Sequence, residues 1–156
     1  MSARRKNKVL ATDIVKQCFK LEMLTYSLID KWKKQYKYTL IESFRKHVEN
    51  LREAVICALR CRKQDKERKL YFYDLAMCSM DNIEYLLELM VSGSFNIISN
   101  KQYADFAIII DDIGIMIDRL TRFLCKEPET VEKTAQGIHG NGSDFQSCDD
   151  ERDLII

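Results

Sequence analysis

Apolar side chains recur along this chain at spacings of three and four residues, the period of one helix face, in four successive blocks. Over residues 11–36 the stripe is Ile14, Cys18, Leu21, Thr25, Leu28 and Trp32, with Thr12 or Asp13 placed to cap the first turn. A break at Tyr36-Lys37-Tyr38-Thr39 leads to a second stripe, Leu40, Phe44, Val48, Leu51, Val55 and Leu59, with Thr39 as the expected cap. The opposite side of that helix carries Glu42, Arg45, Lys46, Glu49, Arg52, Glu53, Arg60 and Lys63, an amphipathic pattern. The charged run from Arg60 to Lys69 predicts a turn, and a third helix is expected from about Lys69 to Val91. Its stripe is Tyr73, Met77, Met80, Ile83, Leu87 and Met90, widened by Leu86 and Leu89. Ser92-Gly93-Ser94 is expected to stop it, as a glycine after a helix often does. Ser99 or Asn100 opens a fourth helix, which runs to about Cys125 with Tyr103, Phe106, Ile110, Ile113, Ile117, Leu120 and Leu124 on one face.

The fourth helix has more apolar residues than one face holds. Ile108, Ile109, Ile115 and Met116 lie off its stripe, and a helix apolar nearly all round is buried on more than one side. In so small a domain these four residues are predicted to form an oligomer interface, the alternative being a broad core face. Four helices joined by short connections predict an all-α fold, an antiparallel up-down four-helix bundle over residues 11–126. A flexible basic arm is expected over residues 1–10. A disordered tail is expected over residues 127–156, which hold 8 acidic and 2 basic side chains. Five Gly and one Pro in 156 residues are too few for turn-rich β folds or folds built on Gly-rich phosphate loops.

Charge changes this picture. The formal net charge of +1 hides a split, because residues 1–70 carry 19 basic and 8 acidic side chains and residues 71–156 carry 6 and 16. Such asymmetry points to a nucleic-acid or membrane partner. No stretch reaches the roughly 18–20 apolar residues of a membrane span. Asp13 and Lys16 interrupt any apolar segment of a signal peptide, so a cytoplasmic protein without a membrane partner is expected. The six cysteines form no CxxC pair and are expected to be reduced thiols rather than zinc ligands.

Catalytic chemistry finds no support. Neither His47 nor His139 belongs to a Glu-x-x-His di-iron motif or follows an Arg at the spacing of helical ribonucleases, and no phosphate-loop, nucleophile-elbow or zinc-protease motif occurs. Asp105 and Asp112, like Asp111 and Asp118, are seven apart on one helix, a spacing that serves a solvated face better than an acid–base pair. A non-enzyme without cofactor or metal is expected. The candidate site is a nucleic-acid-binding surface of Lys31, Lys33, Lys34 and Lys37 around Trp32, Tyr36 and Tyr38, continued by Arg45, Lys46, Arg52, Arg60, Arg62 and Lys63. Basic heads bind phosphates and aromatic faces stack on unpaired bases. The competing reading is a solvated face with ion pairs such as Glu42 to Lys46.

Three segments carry a resemblance. Trp32-Lys-Lys-Gln-Tyr-Lys-Tyr-Thr-Leu40 resembles an aromatic-Pro-Lys-x-Tyr-Arg-Phe-Thr-Leu segment, with Lys33 in place of Pro and Lys37 in place of Arg. Ser99-Asn-Lys-Gln-Tyr103 resembles a Leu-Ser-x-x-Gln-Tyr helix entry, and Ile113-Gly-Ile-Met-Ile117 an Ile-Gly-x-Met-Leu core. These segments are similar to the accessory variability determinant (Avd) family of diversity-generating retroelements and the related rRNA intervening-sequence proteins, over roughly residues 15–125. The resemblance implies a homopentameric barrel of four-helix bundles that has no catalytic activity. Such a protein associates with a reverse transcriptase and its template RNA, or RNA/DNA, and supports mutagenic copying. Lys33, Lys34 and Lys37 lie on the matched segment. The alternative is a structural or interaction protein of the intervening-sequence type, without a reverse-transcriptase partner.

Overall fold

The structure, a computed structural model, describes residues 7–126. The proposed tail over 127–156 and residues 1–6 of the arm lie outside the described residues. Residues 8–12 form turns, in which the Thr12 N–H and hydroxyl both donate to the Val9 carbonyl. Four helices follow: α1 (Asp13–Ile29), α2 (Glu42–Arg60), α3 (Lys66–Val91) and α4 (Asn100–Lys126). Each packs on its neighbours in sequence, and α4 closes the ring against α1. Cross-helix pairs fix the directions. Tyr26 meets Glu49 and Glu22 meets Arg52 across α1 and α2, while Glu88 meets Tyr103 and Met80 meets Gly114 across α3 and α4. Both pairs run antiparallel, so the described residues form an antiparallel four-helix bundle.

The stripes read from the sequence form the core. Ile14, Cys18, Leu21 and Thr25 of α1, Phe44, Val48, Leu51 and Val55 of α2, and Phe106, Ile110, Ile113 and Ile117 of α4 are all buried. One aromatic trio anchors one end. Trp32 stands 5.9 Å from Phe44 and 6.3 Å from Phe106, and Phe44 stands 5.4 Å edge-on to Phe106.

The third helix departs from its expected stripe. Met77 is exposed and Ala76 is fully buried in its place. The physical reason is the contact with α2. Ala54 and Ala58 of α2, and Ala76 and Ser79 of α3, are the small buried residues of these two helices, and such residues let helix backbones approach closely. Close approach turns α3 so that position 76 rather than 77 faces inward.

Helix ends explain the other differences. The first helix stops at Ile29 rather than Tyr36. The Lys31 and Trp32 N–H groups bond three residues back, to Leu28 and Ile29, and the chain turns so that the Trp32 ring enters the core. A 3-10 turn (Lys34–Tyr36) and a π-type turn (Lys37–Ile41) then lead into α2. Thr39 does not cap α2, since its hydroxyl donates to the Tyr36 carbonyl inside this winding. The third helix starts three residues early because Asp65 caps it, accepting from the Arg68 N–H at 3.2 Å. The fourth opens on a reciprocal capping box, in which Ser99 Oγ accepts from the Gln102 N–H and Gln102 Oε1 accepts from the Ser99 N–H. Between α3 and α4 the left-handed residue is Asn96 (φ 45°), whereas Gly93 has an ordinary φ.

Gly114 marks the α3–α4 contact. A Cβ there would lie 3.3 Å from the terminal methyl of Met80, a flexible group that can move aside. Helix propensity favours Ala over Gly by about 1 kcal/mol. Gly114→Ala is therefore expected to stabilise the fold by about 0.5 kcal/mol, and Gly114→Ile to destabilise it by at least about 1 kcal/mol. Urea denaturation measures both.

Candidate nucleic-acid interface

The basic residues do not form one continuous surface. They separate into two clusters at opposite ends of α2, which runs 19 residues, about 28 Å at 1.5 Å per residue. At one end the segment 30–41 carries Lys31, Lys33, Lys34 and Lys37. It is tied to the α3–α4 loop by Lys33 Nζ, which donates to the Phe95 carbonyl at 3.0 Å, and by Tyr36 edge-on to Phe95 at 5.4 Å. Lys33 is thus committed to holding two connections together. Lys34 and Lys37 remain on the surface, and Lys37 Nζ lies 5.5 Å from the centre of the Tyr38 ring. That ring is 84% exposed.

Beside these residues opens a cavity of about 630 Å³, within the roughly 300–1,000 Å³ range of ligand sites. Ile29, Trp32 and Ile41 give it an apolar wall, Tyr26 and Tyr38 aromatic edges, and Asp30, Lys34, Lys37, Glu42 and Arg45 its charges. Trp32 is 4% exposed, and its indole Nε1–H is buried with no acceptor among the described residues. A buried donor left unmade costs about 1–3 kcal/mol.

The middle of α2 is neutralised. Arg45 is held between Glu42 and Glu49, and the Glu42 hydrogen bond keeps the Arg45 guanidinium more firmly protonated while lowering the Glu42 carboxyl below its usual range. Arg52 pairs with Glu22 at 3.1 Å and reaches Glu53 at 3.8 Å. The remaining candidate on the body of α2, Lys46, is exposed, and its neighbour His47 is half-buried.

Glu22 is the strained member of this network. Its Oε1 is buried and lies close to Arg52 Nε without the alignment of a hydrogen bond. Burial raises its pKa from 4.5, Glu49 and Glu53 add to the rise, and Arg52 opposes it. The folded chain therefore keeps a proton on Glu22 at pH values where the unfolded chain has lost it. The stability this confers is complete at low pH and is lost as pH rises from about 4.5 through the elevated folded value. Glu22→Gln is expected to flatten that part of the profile and to melt slightly above the parent at pH 7. Thermal melts of both chains across pH 4–8 check it.

At the far end of α2, Arg60 and Arg62 meet Arg68 around a cavity of about 500 Å³, with Asp65, Cys57, Cys61 and Phe72. Arg68 also lies 5.8 Å from the centre of the Phe72 ring. Lys63 is exposed on the same turn. Arg68 was not among the expected site residues. Its signal was the charge density of residues 60–69, which reads as a turn until Asp65 caps α3 and carries Arg68 round to Arg60 and Arg62.

The opposite pair of helices is acidic. Asp81, Glu84 and Glu88 of α3 share a cleft with Asp111 and Tyr103 of α4, where the Tyr103 hydroxyl donates to Glu88 and burial, followed by Asp81 and Asp111, raises the Glu84 pKa. Asp105, Asp111, Asp112 and Asp118 are all exposed, and Asp118 pairs with Arg122 at 3.0 Å. Among the described residues no group of three or more His, Cys, Asp or Glu side chains is placed to hold a metal ion, and no helix is long and apolar enough to cross a membrane.

The four off-stripe residues of α4 divide. Ile108 and Ile115 are exposed, at 63% and 51%, whereas Ile109 and Met116 are half-buried against the bundle's own core. Further exposed apolar residues extend beyond α4, with Phe19 and Met23 one turn apart on α1 and Tyr71, Leu75 and Tyr85 on α3. The cysteines described are free thiols; Cys57, Cys78 and Cys125 are exposed, and burial pushes the Cys18 thiol up to about 12. No protein-family model matches the chain, and no curated protein matches it.

Proposed function

We propose that this chain is a non-enzymatic, Avd-like accessory protein that binds structured RNA or RNA/DNA for a reverse transcriptase and acts as a homopentamer. The observation that carries the reading is the surface end of segment 30–41. Lys34 and Lys37 flank an exposed Tyr38 beside a cavity, which combines phosphate and base chemistry in one place. The Arg60, Arg62 and Arg68 cluster supplies a second phosphate contact about 28 Å away. The acidic cleft between α3 and α4 keeps nucleic acid off that side and orients it toward α2. Exposed Ile108 and Ile115, two turns apart on α4, support self-assembly, because a second copy would remove both from water.

A salt titration tests the nucleic-acid part. Log affinity for a structured RNA is expected to fall linearly with log salt, by about 0.7–0.9 per neutralised phosphate. Absence of binding near physiological salt would end that reading. Light scattering tests assembly, and a monomer rules out the pentamer. Neighbouring DNA separates the retroelement role from an intervening-sequence role. A reverse-transcriptase gene with paired repeats that differ at adenines supports the first, and their absence supports the second.

A further inference from the structure

The cavity at the end of α1 and α2 has more structure than phosphate binding requires. Nonspecific phosphate contacts need only surface cations, and Lys34 and Lys37 provide them. The same cavity also has an apolar wall of Ile29, Trp32 and Ile41, an exposed tyrosine ring at its edge, and a carboxylate. Its two carboxylates are not equivalent. Glu42 is held by Arg45, whereas Asp30 is exposed and makes no side-chain hydrogen bond or ion pair with the described residues.

We infer that this cavity takes one unpaired guanine of a bound RNA. The inference rests on the RNA-binding reading and adds a base preference to it. Flipped-out bases are recognised by stacking and by hydrogen bonds along their Watson–Crick edge. Guanine presents two adjacent N–H donors on that edge, N1–H and the N2 amino group, and a carboxylate is the acceptor that takes both at once. Asp30 is the carboxylate free to do so. Tyr38 stacks on the exposed face of the ring, and Lys34 and Lys37 hold the flanking phosphates. Adenine and the pyrimidines lack two adjacent N–H donors on that edge. Uracil offers a single N–H on that edge, and cytosine and adenine place an acceptor where guanine has N1–H.

The chain contains a single tryptophan, so its intrinsic fluorescence reports on this cavity without a label. The test titrates the full chain at 0.15 M salt with UUGUU, UUUUU and the same pentamer bearing an abasic centre. UUGUU is expected to bind roughly tenfold tighter than the abasic strand, as one stacked and hydrogen-bonded base provides, and to change the Trp32 emission. Asp30→Asn, an exposed position, is expected to abolish the preference for G over U while leaving the abasic strand's affinity unchanged. Tyr38→Ala is expected to bring both base-bearing strands close to the abasic one. Equal affinities for the three pentamers, a preference for another base, or an unaltered preference in Asp30→Asn would each overturn the guanine site. In those cases salt-dependent binding of a long structured RNA stands, and with it the broader reading. Failure of every strand, the structured RNA included, overturns both.

Discussion

Phe106→Ala is expected to remove about 3–5 kcal/mol of folding stability. Phe106 is fully buried, and it touches both other rings of the trio, Trp32 at 6.3 Å and Phe44 at 5.4 Å. Truncation forfeits the transfer energy of the ring and leaves a void between segment 30–41, α2 and α4 that a ring-built corner does not easily close. A domain of this size has a net stability of about 5–15 kcal/mol, so the variant stands near the threshold of folding. Its melting temperature should fall by on the order of 10–20 °C. Tyr38→Ala is the control, because a ring 84% exposed contributes little to packing. Thermal unfolding followed by far-UV circular dichroism measures both. A Phe106→Ala midpoint within about 3 °C of the parent would mean that the trio is not where the bundle's stability is concentrated.

The second large effect is on RNA affinity. Replacing Lys34 and Lys37 by Ala should flatten the salt dependence by about 1.4–1.8 and weaken binding roughly tenfold at 0.15 M salt. Adding Lys33→Ala should leave the slope where it was, since that ammonium is occupied by the Phe95 carbonyl at 3.0 Å. Its loss should instead lower thermal stability, by loosening segment 30–41 from the α3–α4 loop. Replacing Arg60, Arg62 and Lys63 should flatten the slope by about 2.1–2.7 on a long RNA. On an oligonucleotide of three or four residues, too short to bridge about 28 Å, each cluster's substitutions should act only on the population bound at that cluster. Equal losses from Lys33, Lys34 and Lys37 taken singly would contradict this division of labour.

Helix number, order and inward stripes could be read from the sequence because each depends on one period. A residue such as Phe44 or Ile113 is buried wherever its helix meets any apolar surface, so its neighbours along the chain suffice to place it. The end of α1 depends on something farther away. Trp32 falls on the helical stripe, yet it reaches the core through a turn, because Phe44 and Phe106 offer its ring a better contact than another helical turn would. Met77 lost its place to Ala76 for a similar reason, since the inward angle of α3 is set by the small residues of α2. The basic surface was legible as composition but not as a map. Glu22 lies 30 residues before Arg52 in sequence and 3.1 Å from it in space, so the neutral middle of α2 emerges only when α1 is laid beside it. Arg68 joined the second cluster through a cap at Asp65. In the same way, exposed Phe19 and Met23 sit among ordinary helix residues and declare themselves only once the opposite face of α1 is seen to be filled.

An even number of antiparallel helices returns the chain to the side from which it set out. Asn7 and Lys126 therefore lie at the end of the bundle that holds the α2–α3 turn with Arg60, Arg62 and Arg68, and the end with Lys34, Lys37 and Tyr38 carries neither. A tag or enzyme fused directly after Lys126, with residues 127–156 removed, will crowd the arginine cluster and leave the tyrosine cavity open. A chain cut after Lys126 and immobilised there thus presents the tyrosine cavity to solution, so its contribution can be measured with the arginine cluster hindered.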